Sequence, residues 1–127
     1  MSGSGGEEVG LTITVLVVED EVFLAMELEA ALVEGGFSVL GPAGSVEDAL
    51  YLLEEERPHV AVLDFNLGRD KVTPVAIRLQ ALGVPLLLAS ASGQSELARY
   101  EVLADVANLG KPTDMVRMLE AVRELSA

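Results

Sequence analysis

Residues 60–68 read Val-Ala-Val-Leu-Asp-Phe-Asn-Leu-Gly, and this stretch decides the fold. Four apolar residues lead into a single carboxylate, Asp64, and Gly68 follows four residues later. A short apolar run that is bounded by turn residues is typical of a strand buried on both faces, as in a parallel sheet. Asp64 would then lie at the carboxyl end of the strand, where open α/β sheets bind their ligands.

A second stretch repeats this arrangement near the start of the chain. Residues 11–18 read Leu-Thr-Ile-Thr-Val-Leu-Val-Val, and Glu19, Asp20 and Glu21 follow at once. Because the carboxyl ends of parallel strands meet at one edge of a sheet, the two stretches together predict a cluster of carboxylates at that edge.

The composition restricts the class of protein. The chain has 127 residues, of which 50% are hydrophobic; this is enough for one domain with a buried core and excludes a disordered chain. No apolar run approaches the roughly 18 residues that span a bilayer, and the first residues lack the pattern of a signal peptide. We therefore expect a cytoplasmic protein without membrane contact. The absence of cysteine excludes disulfides, thiolate metal ligands and thiol catalysis.

The net charge argues against nucleic acid as a partner. The chain carries 21 acidic and 8 basic residues, for a formal net charge of −13. Contact with a phosphate backbone requires clustered Lys and Arg, and the chain has no such cluster. We therefore expect no nucleic-acid binding, and we assign most of the acidic residues to a solvated surface.

The order of predicted elements indicates the fold class. Residues 1–10, rich in Gly and Ser, are predicted to form a flexible tail, and residues 11–127 the folded domain. Predicted strands are 11–18, 37–40, 60–64, 84–89 and 106–109. Predicted helices are 21–35, 45–56, 73–82, 95–103 and 113–125, with Ser45, Thr73 and Thr113 as N-caps. Alternating strands and helices predict a doubly wound α/β fold, because crossovers between parallel strands are almost always right-handed.

Polar side chains stand after four of the predicted strands. Glu19 and Asp20 follow the first strand, Asp64 the third, Ser90 the fourth and Lys111 the fifth. Two like charges about 4 Å apart repel by roughly 4 kcal/mol at an effective dielectric constant of about 20, so three carboxylates at one edge favour protonation or a bound cation. A hard divalent ion, Mg²⁺ above all, suits carboxylates with a carbonyl oxygen and water.

Four motifs resemble the receiver domain of two-component response regulators. They are VLVVEDE at 15–21, LDFNLG at 63–68, Ser90-Ala91 and Lys111-Pro112, in the order of the family. The resemblance covers nearly everything from residue 13 to residue 125. It implies a flavodoxin-like fold, with five parallel strands in the order 2-1-3-4-5 and helices on both faces.

The resemblance implies a role for each acid at the sheet edge. Asp64 is the implied phospho-acceptor, which takes a phosphoryl group from a sensor histidine kinase or a histidine phosphotransfer protein. Mg²⁺ is the implied cofactor, held by Glu19, Asp20, Asp64 and the backbone carbonyl of Asn66. A metal is needed there because Asp64 and the incoming phosphoryl group are both negative.

The same resemblance implies roles for the remaining strand ends. Ser90 would bind the phosphoryl oxygens, Lys111 would pair with the phosphate as a point charge, and the peptide bond before Pro112 would be cis. The acyl phosphate adds about −1.5 to −2 charges. A movement of Ser90 and Lys111 towards it is the expected signal.

The sequence departs from the family at the switch position. Receivers commonly carry an aromatic residue three positions before the lysine, and this chain has Asn108 there. The usual coupling of hydroxyl to aromatic rotamer is therefore expected to be absent or rerouted, with Tyr100 as an alternative switch. Residues 84–93 resemble the fourth-strand stretch of receivers that serve HWE-type kinases, which suggests that subgroup.

The first predicted helix has a second apolar stripe besides the one predicted to face the core. Phe23, Met26, Ala30 and Val33 form it. A helix that is apolar beyond one face is either more buried than usual or docks a partner, and the resemblance implies that a kinase's helical hairpin contacts this helix. We therefore predict that Phe23 and Met26 contact the phosphodonor. Glu21 is assigned to the first turn of the helix, where a negative charge favours the helix dipole.

Together these features predict a stand-alone, single-domain response regulator that signals through protein–protein contacts and is not an enzyme. The first alternative is a pseudo-receiver that docks partners without phosphorylation, which the unusual Asn108 favours. The second is a phosphohydrolase with an aspartyl nucleophile. Such enzymes usually carry a carboxylic acid two residues past the nucleophile as general acid, where this chain has Asn66.

Overall fold

A four-stranded parallel sheet lies at the centre of the computed structural model, which describes residues 12–127. Its strands, in the spatial order β2-β1-β3-β6, are β1 (Thr14–Val18), β2 (Ser38–Ala43), β3 (Val60–Leu63) and β6 (Leu86–Leu88). A short antiparallel hairpin consists of β4 (Asn66–Leu67) and β5 (Asp70–Lys71). The helices are α1 (Val22–Glu34), α2 (Val46–Glu55), α3 (Thr73–Leu82), α4 (Gln94–Leu97) and α5 (Met115–Ser126), with a 3₁₀ turn at Glu101–Leu103. The predicted tail, residues 1–10, lies outside the described residues.

Alternation along the strands divides the core between the two faces of the sheet. Successive side chains of a strand point to opposite faces. One set of strand residues packs with Leu28 and Leu32 of α1 and Met118 and Val122 of α5; this set is Val15, Val17, Val60, Val62, Leu87 and Ala89. The other packs with α2, α3 and α4, and comprises Leu16, Val18, Ala61, Leu63 and Leu88. The doubly wound α/β prediction is therefore confirmed.

The predicted fifth strand is reduced to a single bridge. Leu88 pairs with Asn108 in parallel, the Leu88 N–H donates to Ala107 O at 2.9 Å, and the Leu109 N–H donates to Leu88 O at 2.7 Å. Gly110, with φ 85°, then turns the chain away from the sheet. If the strands are counted as predicted from the sequence, the implied order 2-1-3-4-5 holds: β6 is the fourth strand, and the bridge at Asn108 takes the fifth place. That place has a single bridge because the segment leaves β6 after two hydrogen bonds.

Several predicted boundaries were wrong. β2 continues to Ala43 instead of ending at residue 40, and the hairpin of β4 and β5 was not among the predicted strands. The predicted helix 95–103 is split into α4 and the 3₁₀ turn. Its weak apolar stripe buries only Leu97 and Leu103, which is too little to hold one continuous helix.

The N-cap predictions had mixed outcomes. Ser45 caps α2 as predicted, because its hydroxyl accepts from the Asp48 N–H at 3.0 Å. Thr73 already belongs to α3, which has Val72 before it and no side-chain cap. The prediction that Thr113 caps the last helix was wrong as well. Its hydroxyl donates to a loop carbonyl, and Asp114 provides the cap.

Helix α1 carries several exposed apolar side chains. Phe23 is 83% exposed and Met26 and Val33 are each 57% exposed, so the second stripe of α1 faces outward. Tyr100, in contrast, packs its ring against Phe65, with centroids 5.2 Å apart. Within the described residues, no helix has the length and apolar character to cross a membrane.

The cap of α5 gives a test of this local structure. The Asp114 carboxylate accepts from the backbone N–H groups of Val116 at 2.9 Å and Arg117 at 3.2 Å. Asp114→Ala leaves both donors without this partner, and we expect it to lower the free energy of unfolding by about 1 kcal/mol in urea denaturation. Asp114→Asn retains the acceptor and is the matched control. Equal losses in the two variants would contradict the capping role.

Candidate functional site

The pairing of β1 with β3 brings three carboxylates to one sheet edge. Val18 and Leu63 are in register as the last residues of their strands, and the Asp64 N–H donates to Val18 O at 2.9 Å. Glu19 and Asp20 follow β1, and Asp64 follows β3. One oxygen from each of the three carboxylates lies within 4.8 Å of the others. The predicted cluster is therefore present.

Lys111 reaches into this cluster from the segment after the edge bridge. Its Nζ lies 2.7 Å from Asp64 Oδ2, 2.6 Å from Glu21 Oε2 and 3.4 Å from Glu19 Oε2. Burial alone would lower the pKa of Lys111, but hydrogen bonds to Asp64 and Glu21 and the nearby negative charges outweigh it and raise that pKa above its usual value. The lysine therefore remains charged and offsets part of the repulsion among the acids.

Glu19 is the most deeply buried acid of the site. Its side chain has no exposed surface; Oε2 accepts from the Glu21 N–H at 3.1 Å, whereas Oε1 is buried without a hydrogen-bond partner. Burial, together with the charge of Asp64, raises the pKa of Glu19 to about 7, against hydrogen bonds from Glu21 and Lys111 that lower it. A buried oxygen without a partner is costly, and a cation would compensate for it.

The loop after β3 folds back over the acids. The Gly68 N–H donates to Asp20 Oδ2 at 2.9 Å, with Gly68 at φ 62°. The side chain of Asn66 donates to Ser92 Oγ at 3.1 Å and accepts from Lys71 Nζ at 2.5 Å. These bonds fix the position of the loop that carries the predicted carbonyl ligand of Asn66.

Asp20, Glu21 and Asp64 open onto a cleft of about 330 Å³, which is also lined by Asn66, Gly68, Ala91 and Lys111; the buried Glu19 is not among the lining residues. The possible metal ligands at this edge are all oxygen atoms, and Lys111 offsets only part of the negative charge of the carboxylates. Such a set of ligands fits a hard divalent cation such as Mg²⁺. Ser90 is not among the lining residues. It is buried, and its hydroxyl accepts from the Ser92 N–H at 3.2 Å. The structure thus unites the predicted acids and the lysine, and places Ser90 just behind the cleft wall.

Sequence reasoning missed two features of this site. Glu21 precedes α1 as its N-cap residue in an extended conformation, and its carboxylate contacts Lys111 instead of serving the helix dipole. The run of three acids from Glu19 was the available signal. Asn108, treated only as a departure, hydrogen bonds to Ser90 and to Gly110. The bond to Gly110 is a local turn, but no local pattern reveals the bond to Ser90, which lies 18 residues away.

Comparison with known proteins places this geometry in context. The chain matches none of the protein-family models. It is 27% identical over 110 residues to the transcriptional regulatory protein PdtaR of Mycobacterium tuberculosis, covering 85% of the chain and 54% of that protein. It is 33% identical over 113 residues to the sensory transduction protein LytT of Bacillus cereus, covering 87% and 46%. The chain therefore spans about half the length of these relatives.

A shorter relative and two solved structures match over nearly their whole length. The chemotaxis protein CheY of Bacillus subtilis is 26% identical over 113 residues, which are 87% of the chain and 94% of that protein. A CheY-like receiver domain from Methanospirillum hungatei has a TM-score of 0.80 at 21% identity, covering 89% and 92%. The PhyR receiver domain of Erythrobacter litoralis has a TM-score of 0.79 at 21% identity, covering 90% and 89%. The chain therefore has the fold of a response-regulator receiver domain, and its sequence relatives and its acidic edge agree with that resemblance.

Proposed function

We propose that this receiver accepts a phosphoryl group on Asp64 from a histidine kinase or a histidine phosphotransfer protein. The observation that carries the proposal is the position of Asp64, 2.7 Å from Lys111 Nζ and within 4.8 Å of the Glu19 and Asp20 carboxylates. A carboxylate in this setting has a cation on one side and a candidate metal site on the other. The chain acts as a switch in a phosphorelay, not as an enzyme with a separate substrate.

Mg²⁺ is the proposed cofactor, held by Glu19, Asp20, Asp64 and the backbone carbonyl of Asn66. When bound, it supplies positive charge that offsets the repulsion between the carboxylate and a phosphoryl group. The orphaned Glu19 Oε1 supports this assignment, because that oxygen is buried and lacks a hydrogen-bond partner. Lys111 orients Asp64 through Oδ2 and is positioned to pair with phosphoryl oxygens.

A phosphate-independent docking module is the alternative that one observation favours. The side chain of Asn108 is fixed by hydrogen bonds and cannot act as a mobile aromatic switch. A phosphohydrolase is disfavoured, since Asn66 stands where a general acid would be needed and its side chain is engaged with Ser92 and Lys71. The complete acid set with its lysine supports the switch, because a pure docking module has no need of it.

Phosphorylation with a small phosphodonor tests the proposal. With acetyl phosphate and Mg²⁺, we expect intact-mass spectrometry to show one added phosphoryl group on the wild-type chain and none on Asp64→Asn. Asp105→Asn, which removes an exposed carboxylate outside the cluster, is the matched control and retains the label. Equal labelling of Asp64→Asn, or no labelling of the wild type, would refute the proposal.

The raised pKa of Glu19 predicts how stability depends on pH without Mg²⁺. Folded Glu19 titrates at about 7, above its ordinary value of 4.5, so between these values the folded state holds a proton that the unfolded chain has released. This contribution to the free energy of unfolding therefore falls as pH rises through that window and is constant above it.

Urea unfolding with a chelator, at about pH 5 and about pH 8, checks this for wild type and Glu19→Gln. The wild type should lose of the order of 1–3 kcal/mol relative to the variant across that interval. Added Mg²⁺ at the higher pH should stabilise the wild type more than the variant, because ligand binding favours the folded state. A difference between the two proteins that does not change with pH would show that Glu19 does not titrate in this range.

We also propose that the exposed stripe of α1 receives the phosphodonor. Phe23 is 83% exposed and Met26 57% exposed, and large apolar side chains are common anchors at the centre of interfaces. Phe23→Ala with Met26→Ala should slow transfer from the cognate histidine kinase by about tenfold or more, while labelling by acetyl phosphate is unchanged. Tyr51→Ala, which removes a ring that is 61% exposed on α2, is the control. Kinase transfer at the wild-type rate in the double variant would exclude this surface.

A further inference from the structure

The side-chain amide of Asn108 makes four hydrogen bonds to the backbone of two loops. Its Oδ1 accepts from the N–H groups of Ser90 and Gly110, each at 3.0 Å. Its Nδ2 donates to the carbonyl of Ser90 at 3.1 Å and to that of Ser92 at 3.3 Å. An amide has two acceptor positions and two donor hydrogens, so its hydrogen-bonding capacity is fully used. The reversed orientation would set donors against donors, which fixes the assignment.

Few residue types could occupy this position. The contact to Gly110 is an Asx turn, which needs the short side chain of Asn or Asp, and Asp lacks the two donors that reach Ser90 and Ser92. An aromatic residue could make none of these bonds. Asn108 therefore makes specific contacts that the usual aromatic residue at this position could not make.

The two loops that Asn108 joins both serve the candidate site. Ser90 follows β6, and the next residue, Ala91, lines the cleft. Gly110 directly precedes Lys111, whose Nζ contacts Asp64. Through the Ser92 hydroxyl the connection continues to Asn66 in the loop after Asp64. The Asn108 side chain thus links the loop of Ser90 to the segment of Lys111, and both lie beside the proposed phospho-acceptor Asp64.

We propose that Asn108 is a positioning residue that holds the Ser90–Ser92 loop and the Gly110–Lys111 segment together as one unit around Asp64. The inference rests on the proposed phosphoryl transfer for its functional part, but the linkage itself is a property of the unphosphorylated chain. Ser90 is anchored through both its N–H and its C=O, so the loop cannot shift alone without breaking these bonds. Where receivers commonly have a rotating aromatic ring, this chain has a hydrogen-bonded amide, and its bonds make the two segments move together.

Hydrogen exchange tests the linkage without any phosphodonor. The amide hydrogens of Ser90 and Gly110 share one acceptor, so in the wild type we expect them to exchange with similar protection. In Asn108→Ala both should lose protection, by about tenfold or more. The amides of Leu88 and Leu109, which donate to backbone carbonyls at the edge bridge, should stay protected, which shows that the fold around the bridge is intact.

Phosphorylation kinetics test the functional part. We expect Asn108→Ala to lower the rate constant for labelling by acetyl phosphate about 10- to 100-fold, because small displacements of positioned groups cost this much. Its Mg²⁺ affinity should change much less than the labelling rate, since Asn108 hydrogen bonds to backbone groups and to none of the acids; a merely unfolded site would lose both. Val106→Ala, a truncation of a half-buried residue in the same segment, controls for general loss of stability and should label normally. Asn108→Asp keeps the acceptor oxygen and loses both donor hydrogens, and it replaces the alanine variant in this test if that variant does not fold. We expect Asn108→Asp to be labelled more slowly as well, with little change in Mg²⁺ affinity.

The outcomes separate this inference from the proposed function. Loss of protection at Ser90 and Gly110 together with slower labelling supports it. Retained protection at either amide in Asn108→Ala, or a wild-type labelling rate in a folded Asn108 variant, overturns it and leaves the proposed function standing. If the wild type itself is not labelled, the proposed function and the positioning role both fail, and the exchange data then report only a structural link between the loops.

Discussion

Repulsion among Glu19, Asp20 and Asp64 is the constraint on which the rest of this structure depends. The register of β1 with β3 places three carboxylates within 4.8 Å of one another. Carboxylates at such distances repel by a few kcal/mol per pair at an effective dielectric constant of about 20. The chain offsets part of this with Lys111 and part by raising the pKa of Glu19. The remaining excess of negative charge is what supports the proposed binding of a hard cation at this edge.

A rigid scaffold with adjustable loops follows from this arrangement. The two strands that carry the acids, β1 and β3, are buried on both faces, so their ends are fixed by the packing of two separate cores. The loops that carry the polar groups are instead held by side-chain hydrogen bonds, above all those of Asn66 and Asn108. Such bonds can exchange when a charged group arrives, whereas the packed strands cannot. Under the proposed function, we therefore expect the response to phosphorylation to lie in the loops that surround Asp64.

The sequence predicted the scaffold better than the loops, for physical reasons. Apolar runs that end in acids identified β1 and β3, and the motifs around Asp64 and Lys111 located the cluster. The N-cap at Asp114, the contact of Glu21 with Lys111 and the reduced fifth strand were missed, because each depends on the local path of a loop. The role of Asn108 could not be predicted, since three of its four hydrogen bonds go to Ser90 and Ser92, which lie 18 and 16 residues away in the chain.

The binding of Mg²⁺ to the unphosphorylated protein tests the central claim most directly. Calorimetric titration at a pH of about 8, where Glu19 is ionised, should show a single ion bound, with binding lost in Asp20→Asn and retained in Asp105→Asn. Such a result would mean that the acids of two strands act on one metal. Absence of binding to the wild type, or unchanged binding in Asp20→Asn, would contradict the account.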